Sequence, residues 1–332
     1  HMNRTLLALA VTAALAVPLT AQAAPTVYGL LNLSLDMVDA ESSATDEFQV
    51  NSNSSRLGVK GEEDLGNGYS AVYEAEWGVS GDGNAADLGP RDRYIGLKSG
   101  WGTVKLGSYD SPLKTSQGNV DVFNDMTFLD MASIGLNGDN RLNNSIGYES
   151  PKIADAITVK VTLQPGENSA VPNGDDGLVD AISASVAYEQ GGLYVAAAID
   201  QGSDSAVATV SQLTTDTLRL TAVYTMDALQ LGALVQTSEA SAGGGDQESV
   251  LLSAAYTAGK NVFKGQLVMN NTDFGTPDDE EIMSLAFGMD HNFTQMTKAF
   301  AQLGLAQTDN VGGTAGADAD DTIVTVGMQT KF

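Results

Sequence analysis

The 332-residue sequence contains no cysteine, so it has no disulfides, although an exported chain of this size could use them in an oxidising compartment. Stability must come from burial and backbone hydrogen bonding. Basic residues are few: 16 Lys and Arg stand against 42 Asp and Glu, a formal net charge of -26. Such a balance argues against nucleic acid and anionic lipid surfaces as partners and reads first as a solvated acidic exterior. Histidine occurs twice and tryptophan twice, and aromatics make up 6% of the chain. Proline occurs 8 times against 36 glycines, a composition that fits repeated short strands with tight turns better than one large soluble core. Beyond residue 24 there is no long apolar run, so no helix of that part could cross an inner membrane.

What is present begins with HMNRTLLALAVTAALAVPLTAQAAP. A positive start at Arg4, an apolar run from Leu6 to Leu19 and the small-residue pattern Ala21-Gln22-Ala23 make a secretory signal peptide. Cleavage after Ala23 is expected to leave one domain, 24 to 332. Loss of Arg4 takes the charge from -26 to -27. His1 reads as a cloning remnant.

The rest alternates with period two. In TVYGLLNLSLDMV, Val27, Leu31, Leu33, Leu35 and Met37 share one face while Asn32, Ser34 and Asp36 share the other. In RLGVKGE, Leu57 and Val59 oppose Arg56, Lys60 and Glu62; in LRLTAVY, Leu218 and Leu220 oppose Arg219. Alternation shows only that the two faces meet different surroundings. A soluble sandwich buries the oily face, whereas a transmembrane barrel turns it to lipid and lines a watery lumen with the polar one.

The connections discriminate between these. Short ones at 63–68, 99–102, 151–156, 190–192, 226–228, 258–261 and 292–297 interleave with long acidic ones near 39–50, 80–90, 110–140, 165–180, 202–216, 239–247, 272–280 and 308–321. Seven short turns and eight long loops join sixteen strands. An even strand number with short turns at one rim and long loops at the other is the plan of an outer-membrane barrel. The expected fold class is therefore all-β, a 16-stranded antiparallel transmembrane barrel.

Four segments then carry a family resemblance: SRLGVKGEEDLGNG (55–68), RDRYIGLKSGWGTVKLG (91–107), NNSIGYESP (143–151) and the terminal Phe332. They resemble, in order, the general diffusion porins of Gram-negative outer membranes. The resemblance implies a homotrimer whose third loop, here Asp110 to Asn140, folds inward to narrow the pore. It sets Arg56, Arg91 and Arg141 on the family's wall arginines, with Arg93 expected on the face of Arg91 and Lys60 on that of Arg56. Asp121, Asp125 and Asp130 are the loop acids expected to face them. Opposed fixed charges order the water between them, which hinders apolar solutes and admits small polar ones. The implied partners are ions, small hydrophilic solutes and outer-membrane lipid, with no cofactor. After VKLG many family members carry a further base where this chain has Ser108, which thins the positive side and points to weak cation preference.

Other chemistries have less support. Beyond the leader the single histidine is His291, at a short turn and without an oriented nucleophile and acid, so an outer-membrane barrel enzyme is the remoter alternative. The acidic runs 173–177 and 277–281 lack the spacing of a dedicated calcium loop. The glycine clusters at 243–245 and 312–316 precede no helix and read as loop tips. A substrate-specific channel is the nearer alternative, resting on Phe123 and Phe128 in the third loop.

Overall fold

The computed structural model describes residues 25–83, 88–166, 177–202, 215–240 and 245–332. The expected leader, the run 173–176 and the glycines 243–244 lie outside them. Among the described residues the strands are β1 (Thr26–Ala40), β2 (Thr45–Ser52), β3 (Arg56–Gly66), β4 (Tyr69–Val79), β5 (Leu88–Ser99) and β6 (Gly102–Asp110). There follow β7 (Arg141–Glu149), β8 (Ile157–Gln164), β9 (Ala181–Gln190), β10 (Leu193–Gln201), β11 (Thr215–Met226) and β12 (Leu229–Ala240). The last are β13 (Asp246–Ala258), β14 (Asn261–Asp273), β15 (Glu280–Asn292), β16 (Thr297–Asp309) and β17 (Ala319–Lys331).

Every ladder is antiparallel. β1 pairs with β2 from Leu33↔Ser52 to Ala40↔Thr45 and with β3 from Thr26↔Lys60 to Leu30↔Arg56. β2 and β3 are therefore one stave interrupted at Asn53–Ser55, and the barrel has sixteen staves. The interruption frees the Asn53 side chain, which donates to Ser34 Oγ (2.7 Å) and accepts from the backbone N–H (3.0 Å) and hydroxyl (2.7 Å) of Thr127. Closure comes from β1 and β17, in register from Leu30↔Lys331 to Ala40↔Asp321. Beyond that ladder Gly29 and Phe332 exchange backbone hydrogen bonds of 2.9 and 3.1 Å. The Phe332 ring lies so close over Gly29 that an added Cβ would overlap it.

The oily face points outward. Leu218, Leu220, Leu231 and Val235 are exposed, while Thr217, Arg219, Thr221, Gln236 and Ser238, at the alternate positions, are buried. Polar groups inside and apolar groups outside exclude the sandwich and match a barrel set in lipid.

The seven short connections fall where expected. The first long one does not: 39–50 is largely strand, with a single turn of 3-10 helix at Glu41–Ser43. Phe48 and Val50 stand opposite Met37 and Leu35, so the outward apolar alternation continues through the acids Asp46 and Glu47.

The segment 111–140 lies inside the barrel. It opens with the helix α1 (Pro112–Thr115), capped by Ser111, whose side chain accepts from Lys114 N–H at 3.0 Å. It then crosses the inner face of β9 to β17. Val120, Met131 and Leu136 pack with Val223, Leu234, Leu251 and Val268, and Phe123, Met126 and Leu129 pack with Ala286 and Phe300. Ser253 and Gln247 bind the Val120 and Gly135 carbonyls at 2.5 and 3.0 Å, and Gln266 Oε1 accepts from Val122 N–H at 3.0 Å. The inward apolar residues Val223, Leu234, Leu251, Val268, Ala286 and Phe300 of β11 to β16 thus serve as the seat of this segment.

Candidate functional site

Where 111–140 faces β3 to β7 it leaves a polar space of about 640 Å³. Arg56, at the start of β3, donates to Asp125 Oδ2 at 2.9 Å and to the Ser54 carbonyl at 3.1 Å, with Glu76 Oε2 3.7 Å from its Nε. Arg91 Nε pairs with Glu76 Oε1. Arg141, the first residue of β7, pairs with Asp92 (2.6 Å) and Asp110 (2.7 Å). Lys114 reaches Asp110 (3.4 Å) and Asp139 (3.1 Å). Bases and acids thus form two ion-pair groups at the opening, one of Arg56, Arg91, Glu76 and Asp125, the other of Arg141, Lys114, Asp92, Asp110 and Asp139.

Arg93 departs from expectation. The ladder between β4 and β5 runs Ala75↔Arg93 and then Trp77↔Pro90, so Glu76 stands opposite two residues of β5. This bulge brings Arg91 and Asp92 together to the inside and restores alternation one step out of phase. Tyr94 follows inward, its hydroxyl donating to Glu74 Oε2 at 3.1 Å. Arg93 takes the outward register of the exposed Ile95 and Leu97 and so leaves the face of Arg91. Ser108 is its cross-strand partner, donates to Asn143 Oδ1 at 2.7 Å, and does not line the space. The base wanting at Ser108 therefore has no direct bearing on the charge there. Lys60 shares the inner face with Arg56 but sits four residues nearer the short-turn rim, exposed, its Nζ 4.8 Å over the Tyr28 ring.

The three loop acids have three different placements. Asp125 meets Arg56. Asp121 is buried and accepts from the backbone N–H groups of Phe123 and Met131, both at 2.8 Å, on the side of Gln266 of β14 and away from the arginines. Burial, reinforced by the nearby Asp130 carboxylate, pushes its pKa up to about 7. Asp130 accepts from Asp125 N–H (2.9 Å) and Ala132 N–H (2.8 Å) and lines the space; burial raises its pKa as well.

Sequence reasoning missed Glu76, Asp92, Asp110, Lys114 and Asp139. For Asp110 and Lys114 a signal existed: DSPLK is a Ser-Pro helix start with an acid and a base four residues apart. It also missed the role of Arg219, fully buried, which donates to Gln236 Oε1 (2.7 Å) and to the carbonyls of Leu113 (3.3 Å) and Asn137 (2.9 Å). That one side chain clamps both ends of the inward segment. His291 sits at the short-turn rim, bonded to Asn261 Oδ1 at 2.7 Å and edge-on to Phe293. At the opening, Arg56, Arg91, Lys114 and Arg141 meet Asp110, Asp125, Asp130, Asp139, Glu76 and Asp92, four bases against six carboxylates.

Comparison with known proteins gives consistent findings. A family model described as Gram-negative porin matches residues 8–313. Among curated relatives, the major outer membrane protein P.IB of Neisseria gonorrhoeae is 32% identical over 179 residues, covering 51% of this chain and 50% of the relative. That of Neisseria lactamica is 30% identical over 183 residues, covering 52% and 53%. The chain thus spans about half the length of the curated relatives it matches. Among solved structures, an anion-selective porin from Comamonas acidovorans superposes with a TM-score of 0.75 at 24% identity, over 93% of this chain and 99% of that one. The trimer form of OmpT of Vibrio cholerae gives 0.67 at 15% identity, over 93% and 99%. At these identities the structures share the fold with this chain.

Proposed function

The chain belongs to the Gram-negative porin family, and from that premise we propose that it is an outer-membrane channel, assembled as a homotrimer, for passive diffusion of ions and small hydrophilic solutes. The observation that carries the reading is the set of four bases and six carboxylates gathered at a polar space of about 640 Å³ beside an inward-folded segment. Fixed charges of both signs across a narrow gap orient water and disfavour apolar solutes, while small polar solutes exchange one set of hydrogen bonds for another. The contact pairs neutralise locally and leave a formal excess of two carboxylates. We therefore assign the channel a weak cation preference, strengthened in dilute salt by the acidic long-loop rim, since screening reaches only about 8 Å at physiological ionic strength.

The pore-lining roles go to Arg56, Arg91 and Arg141 with Asp125 and Asp130, joined by Lys114, Asp110 and Asp139. Reversal potentials across a salt gradient in planar bilayers test the preference. Anion selectivity in dilute salt would overturn it, and the absence of ohmic conductance would overturn the channel reading. The Comamonas acidovorans porin is named for anion selectivity; the opposite preference proposed for this chain rests on its own excess of carboxylates at the opening. Native mass spectrometry in mild detergent tests the trimer; a monomer alone would refute it.

A further inference from the structure

A second space of about 380 Å³ lies inside the barrel near the long-loop rim, between residues 127–135 of the inward segment and the inner faces of β1 and β15 to β17. Its walls are more apolar than those of the charged opening. Val38, Ile282, Ala306 and Ile323 from the barrel meet Phe128 and Ile134 from the segment. These side chains occupy the inward register and face no lipid, so the patch has no part in seating the barrel in a membrane. Phe128 of the segment packs on Val38 and Ile323 and leaves them buried, while Ile282, Ala306, Phe128 and Ile134 stay partly exposed to the space.

Two carboxylates border the recess, Glu280 and Asp321, and among the described residues lining it none is basic. Asp321 accepts from the backbone N–H (3.0 Å) and hydroxyl (2.5 Å) of Ser42, and Glu280 accepts from Gly312 N–H (2.7 Å). These neutral donors orient the carboxylates without cancelling their charge. Thr127 and Ser133 line both this recess and the charged opening, so the two spaces share a wall. A solute entering from the long-loop rim meets the recess beside the narrowing.

We propose that the recess is a subsite for small amphipathic cations, solutes with one aromatic or branched apolar body and one ammonium group. The volume lies within the range of small-molecule sites, about 300–1,000 Å³. The apolar body covers Phe128, Ile134 and Ile282, and the ammonium group meets Glu280 or Asp321, or Asp130 across the shared wall. An anion of the same skeleton meets carboxylates only. The subsite rests on the channel reading and adds a solute class to it: such cations dwell at the narrowing and impede the flow of smaller ions.

The test uses the full-length protein in planar bilayers in KCl, with 2-phenylethylammonium added from the long-loop side. Ethylammonium and 3-phenylpropanoate supply the charge-only and body-only comparisons. The expected result is half-block by 2-phenylethylammonium at a concentration roughly tenfold below that of either comparison probe. Ala306→Leu, which fills the recess, and Ile282→Asn, which makes it polar, are each expected to raise that concentration roughly tenfold while KCl conductance stays at the wild-type value. Equal block by all three probes, or wild-type block in both variants, would overturn the subsite. A wild-type protein without ohmic KCl conductance, seen before any amine is added, would overturn the channel reading and the subsite with it.

Discussion

Replacing Arg56 by alanine removes the guanidinium that holds Asp125 at 2.9 Å and stands 3.7 Å from Glu76. Arg91 remains on Glu76, so the carboxylate released to the passage is Asp125. For an ion passing about 8 Å from that carboxylate through water, one unit of charge is worth about 0.5 kcal/mol. The change is favourable to a cation and unfavourable to an anion, so the two together alter the cation-to-anion ratio by about 1 kcal/mol, or about fivefold. Reversal potentials across a KCl gradient in dilute salt measure that ratio, and it should shrink as salt rises toward 1 M, where the screening length falls to about 3 Å. Arg93→Ala is the matched control, because the β5 bulge places Arg93 outside the lumen. An Arg56→Ala channel with the wild-type reversal potential, or an Arg93→Ala channel that shifts by the same amount, would refute the assignment of faces and with it the charge network.

Three further outcomes are expected. Arg219→Met removes the donors to the Leu113 and Asn137 carbonyls, each bond to a charged group being worth about 1.5–3 kcal/mol; single-channel conductance should rise and become noisy as the inward segment loosens, and an unchanged trace would count against the clamp. Asp121 has a folded-state pKa near 7 against about 3.9 unfolded, so the folded protein takes up the proton first. Its contribution to stability then falls as pH rises from about 4 to about 7; the unfolding midpoint should drop over that interval, and Asp121→Asn should flatten the drop, as thermal melts in detergent can show. Gly29→Val forces the Phe332 ring off the closing seam, at about 1–3 kcal/mol for an overpacked contact, and should lower the temperature at which the barrel unfolds in a gel-mobility assay.

Barrel architecture was legible because its cause is local: each stave carries its own alternation, and most short turns carry a glycine or a polar pair. Faces were misread only where pairing between strands intervenes. Nothing within RDRYIGL announces that Glu76 will stand opposite two of its residues, so Arg93 looked like a neighbour of Arg91 when it is on the other side. The acidic run around Asp46 and Glu47 looked like loop because charge masked the Phe48 and Val50 alternation. Within the inward segment, charge alone could not rank the acids. Asp121 is withdrawn by two backbone N–H groups that the loop's own path presents to it, whereas Asp125 reaches Arg56, and that difference is set by backbone course rather than composition.

The seam between β1 and β17 has a kinetic consequence. Its partners lie roughly 300 residues apart, so joining them carries the largest loop-closure entropy of any ladder in the barrel. Until then the sheet has two open edges, each able to capture a foreign strand. The apolar recess straddles this seam, since Val38 comes from β1 and Ile323 from β17. It does not exist in any intermediate whose ring is still open. A molecule that occupies it binds the shut ring alone, and by mass action holds the hoop closed, so the same compound that slows ion flow would also slow the rate at which the barrel comes apart.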